Sequence, residues 1–436
     1  MRAAGAVFAS VSLSLVLSAA GCDWREFDKL KENTPVGAIA APSGYGASDD
    51  FGPVLLALAP PTDGSAAGRF IATATLKTSL AVVSYEPTGK QSGFSPSNDG
   101  LDSLQGGPIT AIGAIPGGRQ VLLGAPTAFL GDVLVMSLDP PYNASPFIGT
   151  SADPRYGTGV AAGNLSGGAD PEVVVASANK LHVYVDSLPT MDKPYLSTGP
   201  TDPCPIDIPN NLPEDDLLNR AVIVAPLLGS GMQIAVGAPV TSGNGHVSIF
   251  NFDATAAAPT CAAMLTGSEA HFGRSMALVD VDGDGTSDHL LVGAPQTHAY
   301  LYKLPLSTGA APVAMATDTA TDGNFGFSVA AFDIDGKPGD EMFVGAPDGA
   351  VGGANAGRVS VYTGATMTLL PSTPTFPNPL AQHDPGGGDG YGIAIAGVSF
   401  CPGTGGAAPC TKLLHVGSRS KVYAYYTLRK PDPRVK

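Results

Sequence analysis

Short apolar runs recur along the chain, and four of them end in the same triplet. Val121-Leu122-Leu123, Ile234-Ala235-Val236, Leu290-Leu291-Val292 and Met342-Phe343-Val344 are each closed by Gly-Ala-Pro, beginning at Gly124, Gly237, Gly293 and Gly345. An unbroken apolar run that stops in a turn is the pattern of a buried strand. Weaker copies end at Val175-Ala176-Ser177 and Val416-Gly417-Ser418, and Phe70-Ile71-Ala72-Thr73-Ala74 reads as the first. Downstream of the runs the pattern changes to alternation, as in Val133-Leu134-Val135, Val183-Tyr184-Val185, Val247-Ser248-Ile249-Phe250, Tyr300-Leu301-Tyr302, Val359-Ser360-Val361-Tyr362 and Val422-Tyr423-Ala424-Tyr425. Period-two alternation with aromatics predicts a second strand with unlike faces.

A third element precedes the runs. Phe51-Gly52, Tyr156-Gly157, Phe272-Gly273, Phe325-Gly326 and Tyr391-Gly392 each lead into a strand of small and apolar residues, such as Arg274-Ser275-Met276-Ala277-Leu278. Two intervals between these anchors are double length, and Gly107-Pro108-Ile109 and Asn219-Arg220-Ala221 sit where degenerate copies belong. The repeat is roughly 50 to 70 residues long, the span of a four-stranded blade with its loops. About seven copies are expected.

An aromatic-glycine pair, an aspartate loop and Gly-Ala-Pro, in that order, resemble the FG-GAP repeats of integrin α-subunit heads and related bacterial surface proteins. The resemblance runs from about Tyr45 to Leu428. It implies an all-β fold, a seven-bladed β-propeller of four-stranded antiparallel blades whose ring closes on itself.

One loop carries chemistry of its own. Asp280-Val281-Asp282-Gly283-Asp284-Gly285-Thr286-Ser287-Asp288 places carboxylates at alternate positions with glycine between, so that the backbone can wrap a hard cation and offer it oxygen. An EF-hand would need a glutamate where Leu291 stands, and flanking helices. The alternative is a solvated aspartate turn held by its own side-chain bonds. In FG-GAP proteins this pattern occupies the hairpin between the first two strands of a blade. The resemblance thus assigns Ca2+ to Asp280, Asp282, Asp284, Thr286 (through its carbonyl) and Asp288, with a structural role. A weaker site is expected at Asp333, Asp335 and Asp340, where Lys337 stands in place of the third carboxylate and its ammonium is an alternative to the metal. Asn164 to Asp170 keeps one carboxylate and reads as a metal-free turn.

The first residues change the picture from a bare fold to an exported one. Arg2 followed by the apolar stretch Ala3 to Ala20 has the form of a signal peptide, 1–21. Leu17-Ser18-Ala19-Ala20-Gly21-Cys22 resembles a bacterial lipobox, which implies lipidation at Cys22 and anchoring in the cell envelope, periplasmic or surface-facing. Ala19 departs from the leucine usual there, so ordinary cleavage after a small residue is the alternative. Residues 22–43 read as a lipidated tether, 44–430 as the propeller and 431–436 as a tail. Four further cysteines suit an oxidising compartment: Cys401 and Cys410 bracket a Gly/Pro-rich loop as one pair, and Cys204 would then pair with Cys261. Four free thiols are the alternative.

Composition narrows the partners. With 38 acidic against 23 basic side chains the formal charge is −15, which disfavours nucleic acid and anionic lipid surfaces. The 56 glycines and 39 prolines against 14 % charged residues fit many short strands joined by tight turns. Nothing catalytic assembles: there is no HExxH, Gly273-Arg274-Ser275-Met276-Ala277 fails the nucleophile-elbow pattern at its last place, and Gly386-Gly387-Gly388-Asp389-Gly390 lacks the strand and helix a phosphate loop needs. The function expected is that of an extracytoplasmic, calcium-stabilised propeller acting as a protein-binding, adhesion or scaffolding module and not as an enzyme. The resemblance to integrin-type propellers implies that its unknown protein or glycan ligand would dock on the face opposite the calcium hairpins, built from loops such as Thr127 to Asp132, Thr241 to Gly245, Asp348 to Gly357 and the acidic insertion Pro200 to Leu218. Phe129, Tyr142, Tyr195 and Phe376 are candidate contacts there, or packing beneath the loops. The alternatives are a propeller enzyme, a polysaccharide lyase or hydrolase with its site in the channel, and a purely structural envelope protein.

Overall fold

The computed structural model describes residues 37–40, 51–58, 69–75, 80–85, 91–95, 109–117, 119–126, 131–139, 144–147, 153–187, 191–199, 201–208, 220–318, 323–351, 354–355, 357–371, 380–381, 389–400 and 411–426. Signal peptide, Cys22, Cys401, Cys410, Phe129, Tyr142 and Phe376 lie outside them.

The described strands form an all-β propeller of four-stranded antiparallel blades. From inner to outer strand, one sheet runs Phe51–Leu58, Arg69–Thr75, Leu80–Tyr85, Gln91–Ser95, and the next Ala111–Ala114, Gln120–Pro126, Gly131–Ser137, Ala144–Pro146. Gly159–Gly163, Glu172–Ala176, Lys180–Tyr184 and Tyr195–Leu196 follow, then Val222–Ala225, Gln233–Ala238, His246–Asn251 and Thr260–Thr266, then Ser275–Val279, His289–Ala294, His298–Lys303 and Ala314–Thr317. The last sheet takes Ala394–Phe400, Thr411–Gly417 and Lys421–Tyr426 from the C-terminal end and completes itself with Gly37–Ala40. The segment 37–40, read from the sequence as tether, is therefore the outer strand that closes the ring.

The expectation of seven uniform four-stranded blades needs correction: six sheets have that form. The sheet of Ser328–Phe332, Glu341–Ala346, Arg358–Thr363 and Thr368–Leu369 has five strands, because Leu380–Ala381 also pairs with Arg358–Thr363. A small hairpin, Ala350–Val351 with Ala354–Asn355, sits beside it.

The predicted apolar runs are the second strands, and in four sheets every residue from Glu172–Ala176, Gln233–Ala238, His289–Ala294 and Glu341–Ala346 is buried. A blade packs between two neighbours, so both faces of its middle strands meet apolar surface. Ile109 and Arg220-Ala221, the described residues of the degenerate anchors, lead into the inner strands Ala111–Ala114 and Val222–Ala225, as the spacing predicted.

The Gly-Ala-Pro and aromatic-glycine motifs meet across the blade junctions. Gly273 N donates to Gly293 O of its own blade, while a Cβ on Gly237 of the preceding blade would fall 1.9 Å from the Gly273 carbonyl oxygen. Gly293 stands in the same way 2.1 Å from the Gly326 oxygen, and Gly417 2.1 Å from that of Gly52 across the ring closure. Only glycine allows the two backbones so close.

Candidate functional site

The hairpin between Ser275–Val279 and His289–Ala294 carries the aspartate loop. Asp280 orders it from within, its two carboxylate oxygens accepting Gly283 N and Gly285 N, both at 2.7 Å. Asp282 accepts Asp284 N at 3.2 Å, and Asp284 accepts Thr286 N at 2.7 Å. These bonds turn the three carboxylates inward until a ligand oxygen from each lies within 4.8 Å of the others. Each oxygen keeps a lone pair after accepting one N–H. Like charges at that spacing repel by about 1 kcal/mol per pair in water and several-fold more near protein, and a divalent cation among them reverses the sign.

Asp288 is not gathered with these three. Its Oδ1 accepts Val281 N at 2.9 Å and meets His289 Nδ1 at 2.8 Å. Burial pushes its carboxyl pKa up, but the His289 and Val281 bonds outweigh that and hold it below the usual value. Asp288 thus locks the base of the loop, and Thr286 stands on its exposed arm.

The next blade's loop differs from expectation. Asp333 and Asp335 converge with Glu341, not with Asp340. The Asp340 carboxylate turns to the neighbouring loop and accepts Asp280 N at 3.0 Å, while Asp340 N donates to Asp280 O at 2.7 Å. Burial raises the Asp340 pKa, with the nearby negative charges of Asp280 and Asp333 adding to it. This backbone clasp joins the two hairpins, and Gly283 packs directly on Pro338 and Gly339. Lys412 Nζ binds Asp333 and Lys337 Nζ binds Asp335, so two ammonium groups supply positive charge here. Lys337 is raised above its ordinary pKa by that bond and by the Asp335 charge.

Glu341 belongs to a series that sequence reasoning missed. Its Oε2 accepts Ile334 N at 2.9 Å and Asp335 N at 3.4 Å. Glu172 likewise accepts Leu165 N at 2.7 Å and Ser166 N at 3.2 Å, and Gln233 accepts Leu227 N and Leu228 N at 2.8 and 2.9 Å. One buried acceptor at the head of the second strand satisfies two turn N–H groups in each of these three blades. The signal was available as a lone polar residue just before each apolar run: Glu172, Gln233, Glu341. The turn at Asn164 closes on itself by Asn164 Oδ1 accepting Gly167 N at 2.6 Å and Nδ2 donating to Gly168 O at 2.7 Å.

The match to known proteins falls on the blade with the aspartate loop. A family model described as FG-GAP repeat matches residues 272–302, from the aromatic-glycine pair to the third strand. The chain carries an FG-GAP repeat. It is integrin-α-like as well: mouse integrin alpha-E is 36 % identical over 116 residues, which is 23 % of this chain and 10 % of that protein. Human integrin alpha-E is 34 % identical over 108 residues, 22 % of this chain and 9 % of the relative. The matched stretch thus spans about a tenth of these relatives' length.

On the face opposite the aspartate hairpins the expected contacts change character. Tyr195 packs edge-on against Phe250 at 4.7 Å and its hydroxyl donates to Asp202, so it is packing beneath the insertion and not an exposed anchor. The described part of that insertion, 201–208, is stapled by the Cys204–Cys261 disulfide to the outer strand of the next blade. Ser275 of the nucleophile-like stretch donates its hydroxyl to Gly326 O at 3.1 Å, a bond across a blade junction. Among the described residues no helix is long and apolar enough to cross a membrane.

Proposed function

We propose that this chain is an exported FG-GAP propeller that serves as a protein-binding, adhesion or scaffolding module at the cell envelope, stiffened by calcium in the Asp280 to Asp288 hairpin. The observation that carries the reading is the inward convergence of Asp280, Asp282 and Asp284 within the matched repeat. Oxygen-only donors with glycine at the sharp bend suit calcium over softer metals. The Asp280–Asp340 clasp would pass the stiffening on, because ordering one loop orders the backbone of the next.

The five-stranded sheet completes a seven-membered ring in this proposal, since the inner strands on both sides of it line one axial cavity. A lipid on Cys22 would hold the module to a bacterial membrane. A protein or glycan would then dock on the face away from the calcium hairpins; a charge of −15 argues against nucleic acid. The Cys204–Cys261 bond supports export to an oxidising compartment.

The test is calorimetric unfolding of the chain with calcium, with a chelator, and in an Asp282→Ala/Asp284→Ala variant. At a calcium concentration about 100 times Kd the metal should add about 2.7 kcal/mol. A midpoint that ignores both chelator and calcium in the wild-type protein would remove the metal from the proposal.

A further inference from the structure

The aspartate loops of two adjacent blades begin alike and then part. Asp280 Oδ1 accepts Gly283 N in the first, and Asp282 Oδ1 accepts Asp284 N. Asp333 Oδ1 accepts Gly336 N at 2.6 Å in the second, and Asp335 Oδ1 accepts Lys337 N at 2.8 Å, which is the same turn bond for bond. The fifth position then holds Lys337 where the first loop has Asp284, and the sixth holds Pro338 where it has Gly285. Gly285 N donates to Asp280 Oδ2 at 2.7 Å. Proline has no N–H to give, so the matching oxygen, Asp333 Oδ2, lacks that backbone donor.

Lys412 Nζ takes the donor's place, bonding Asp333 Oδ2 from the last blade. Lys412 stands five residues before Gly417, as Asp340 stands five before Gly345. The two glycines hold one place in their blades, Gly417 pairing with Ala394 and Gly345 with Ser328 on the inner strands. The same blade position thus reaches back to the first aspartate of the preceding loop at both junctions: Asp340 to Asp280 N, Lys412 to the Asp333 carboxylate. What changes is the charge it delivers.

The lysine sits where a metal would be held. Asp333, Asp335 and Glu341 offer oxygens within 4.8 Å of one another, but an ammonium already engages Asp333, and Glu341 Oε2 accepts Ile334 N and Asp335 N. The Lys412 side chain is 21 % exposed, against 77 % for Lys337 on Asp335. Lys412 is therefore the less screened of the two charges. Among the described residues the ion pairs leave Asp280, Asp282 and Asp284 out. Calcium asks for roughly six to eight oxygens and no cation beside it; the first loop suits that demand and the second does not.

We propose that Lys412 is a built-in substitute for the metal: its ammonium fills the cation place of the Asp333 loop, ties the last blade to the one before it, and keeps calcium out of that hairpin. A compact point charge on a flexible stem can take this role. A tethered cation acts at any calcium concentration, so this junction stays closed where the Asp280 hairpin would respond to the ion. The proposal holds whether or not the Asp280 loop takes calcium.

Isothermal calorimetry with calcium chloride tests it, on the full chain carrying Asp282→Ala/Asp284→Ala so that the first loop is silent. No binding is expected up to about 1 mM, the range of weak extracellular calcium sites. Lys337→Asp, which restores the third carboxylate and leaves Lys412 in place, should stay silent as well. Adding Lys412→Met, which keeps the stem and removes the charge, should then give one saturable calcium site, tighter by about tenfold or more. In the same variant calcium should raise the thermal midpoint, a readout that serves even if loss of the lysine leaves the chain too unstable to titrate. Calcium binding by the parent, equal binding with and without Lys412, or a Lys337→Asp/Lys412→Met chain that calcium neither binds nor stabilises would each overturn the proposal.

Discussion

Replacing Gly293 by alanine separates two accounts of why the repeat ends in glycine. Gly293 lies in a strand with no positive φ, so its backbone accepts alanine without strain. Judged on backbone alone, Gly293→Ala should stabilise by about 0.4–1 kcal/mol, because alanine has fewer unfolded conformations to lose. The junction predicts the opposite. The new methyl carbon would stand 2.1 Å from the Gly326 oxygen and 2.2 Å from Ser275 Oγ. The first of these is main chain, and a tolerable contact requires the blades to part by about 1 Å. A gap of that size forfeits a quarter to a half of the dispersion energy of the atoms facing it, and overpacking a close-fitted interior costs about 1–3 kcal/mol. The net expectation is destabilisation by about 1–2 kcal/mol. Urea unfolding followed by near-ultraviolet circular dichroism should show a lower midpoint at unchanged slope. A midpoint equal to or above wild type would refute the claim that the interblade approach, and not local conformation, demands glycine.

Two further outcomes follow from buried polar groups. Burial, with the charges of Asp335 and Asp333 behind it, pushes the Glu341 pKa up to about 7 from an ordinary 4.5. The folded state therefore holds a proton that the unfolded state has released, so in metal-free buffer stability should fall as pH rises from about 4.5 to about 7 and level off above; Glu341→Gln, which puts in this place the residue already used at Gln233, should flatten that decline and leave the protein about 2–3 kcal/mol more stable at pH 8 than wild type. An unaltered pH profile in the variant would show that Glu341 is not the titrating group. Arg220→Ala leaves the buried carbonyls of Gly237, Ser177 and Ile206 without their donor, and should cost about 3–5 kcal/mol in denaturant unfolding; a loss below about 1 kcal/mol would mean that water replaces the guanidinium freely.

What could be read from the chain was whatever repeats locally. The second strands announced themselves because burial on both faces leaves an unbroken apolar run, and the hairpin of Asp280 did so because a tight turn with converging carboxylates needs alternating Asp and Gly. Glu172, Gln233 and Glu341 were missed because a single polar residue ahead of an apolar run looks like the exposed end of a strand, whereas each is buried to accept turn N–H groups. Asp340 was misplaced because its partner, Asp280 N, belongs to the neighbouring blade. Gly37–Ala40 carries no periodic signal in four residues, and its pairing with Lys421–Tyr426 spans nearly the whole chain.

The degenerate repeats are explained by the same junction that explains the regular ones. The motif has two halves on different blades: the glycine of Gly-Ala-Pro makes room, and the carbonyl of the next aromatic-glycine pair fills it. Losing one half removes the constraint on the other. Ala176 occupies the Gly-Ala-Pro glycine position, pairing with Gly159 as Gly293 pairs with Ser275. The blade that follows Ala176 is one of the two whose anchors lack the aromatic-glycine pair, here Asn219-Arg220-Ala221. There the backbones meet one step further along, Arg220 N donating to Thr158 O at 3.1 Å, and Arg220 also spans the junction by side chain, donating to Gly237 O of its own blade and Ser177 O of the one before. A small-residue contact and a guanidinium bridge are thus two solutions to one packing problem. Except at the ring closure, where Gly417 meets Gly52, the choice is made jointly by two segments that the sequence keeps about 40 residues apart.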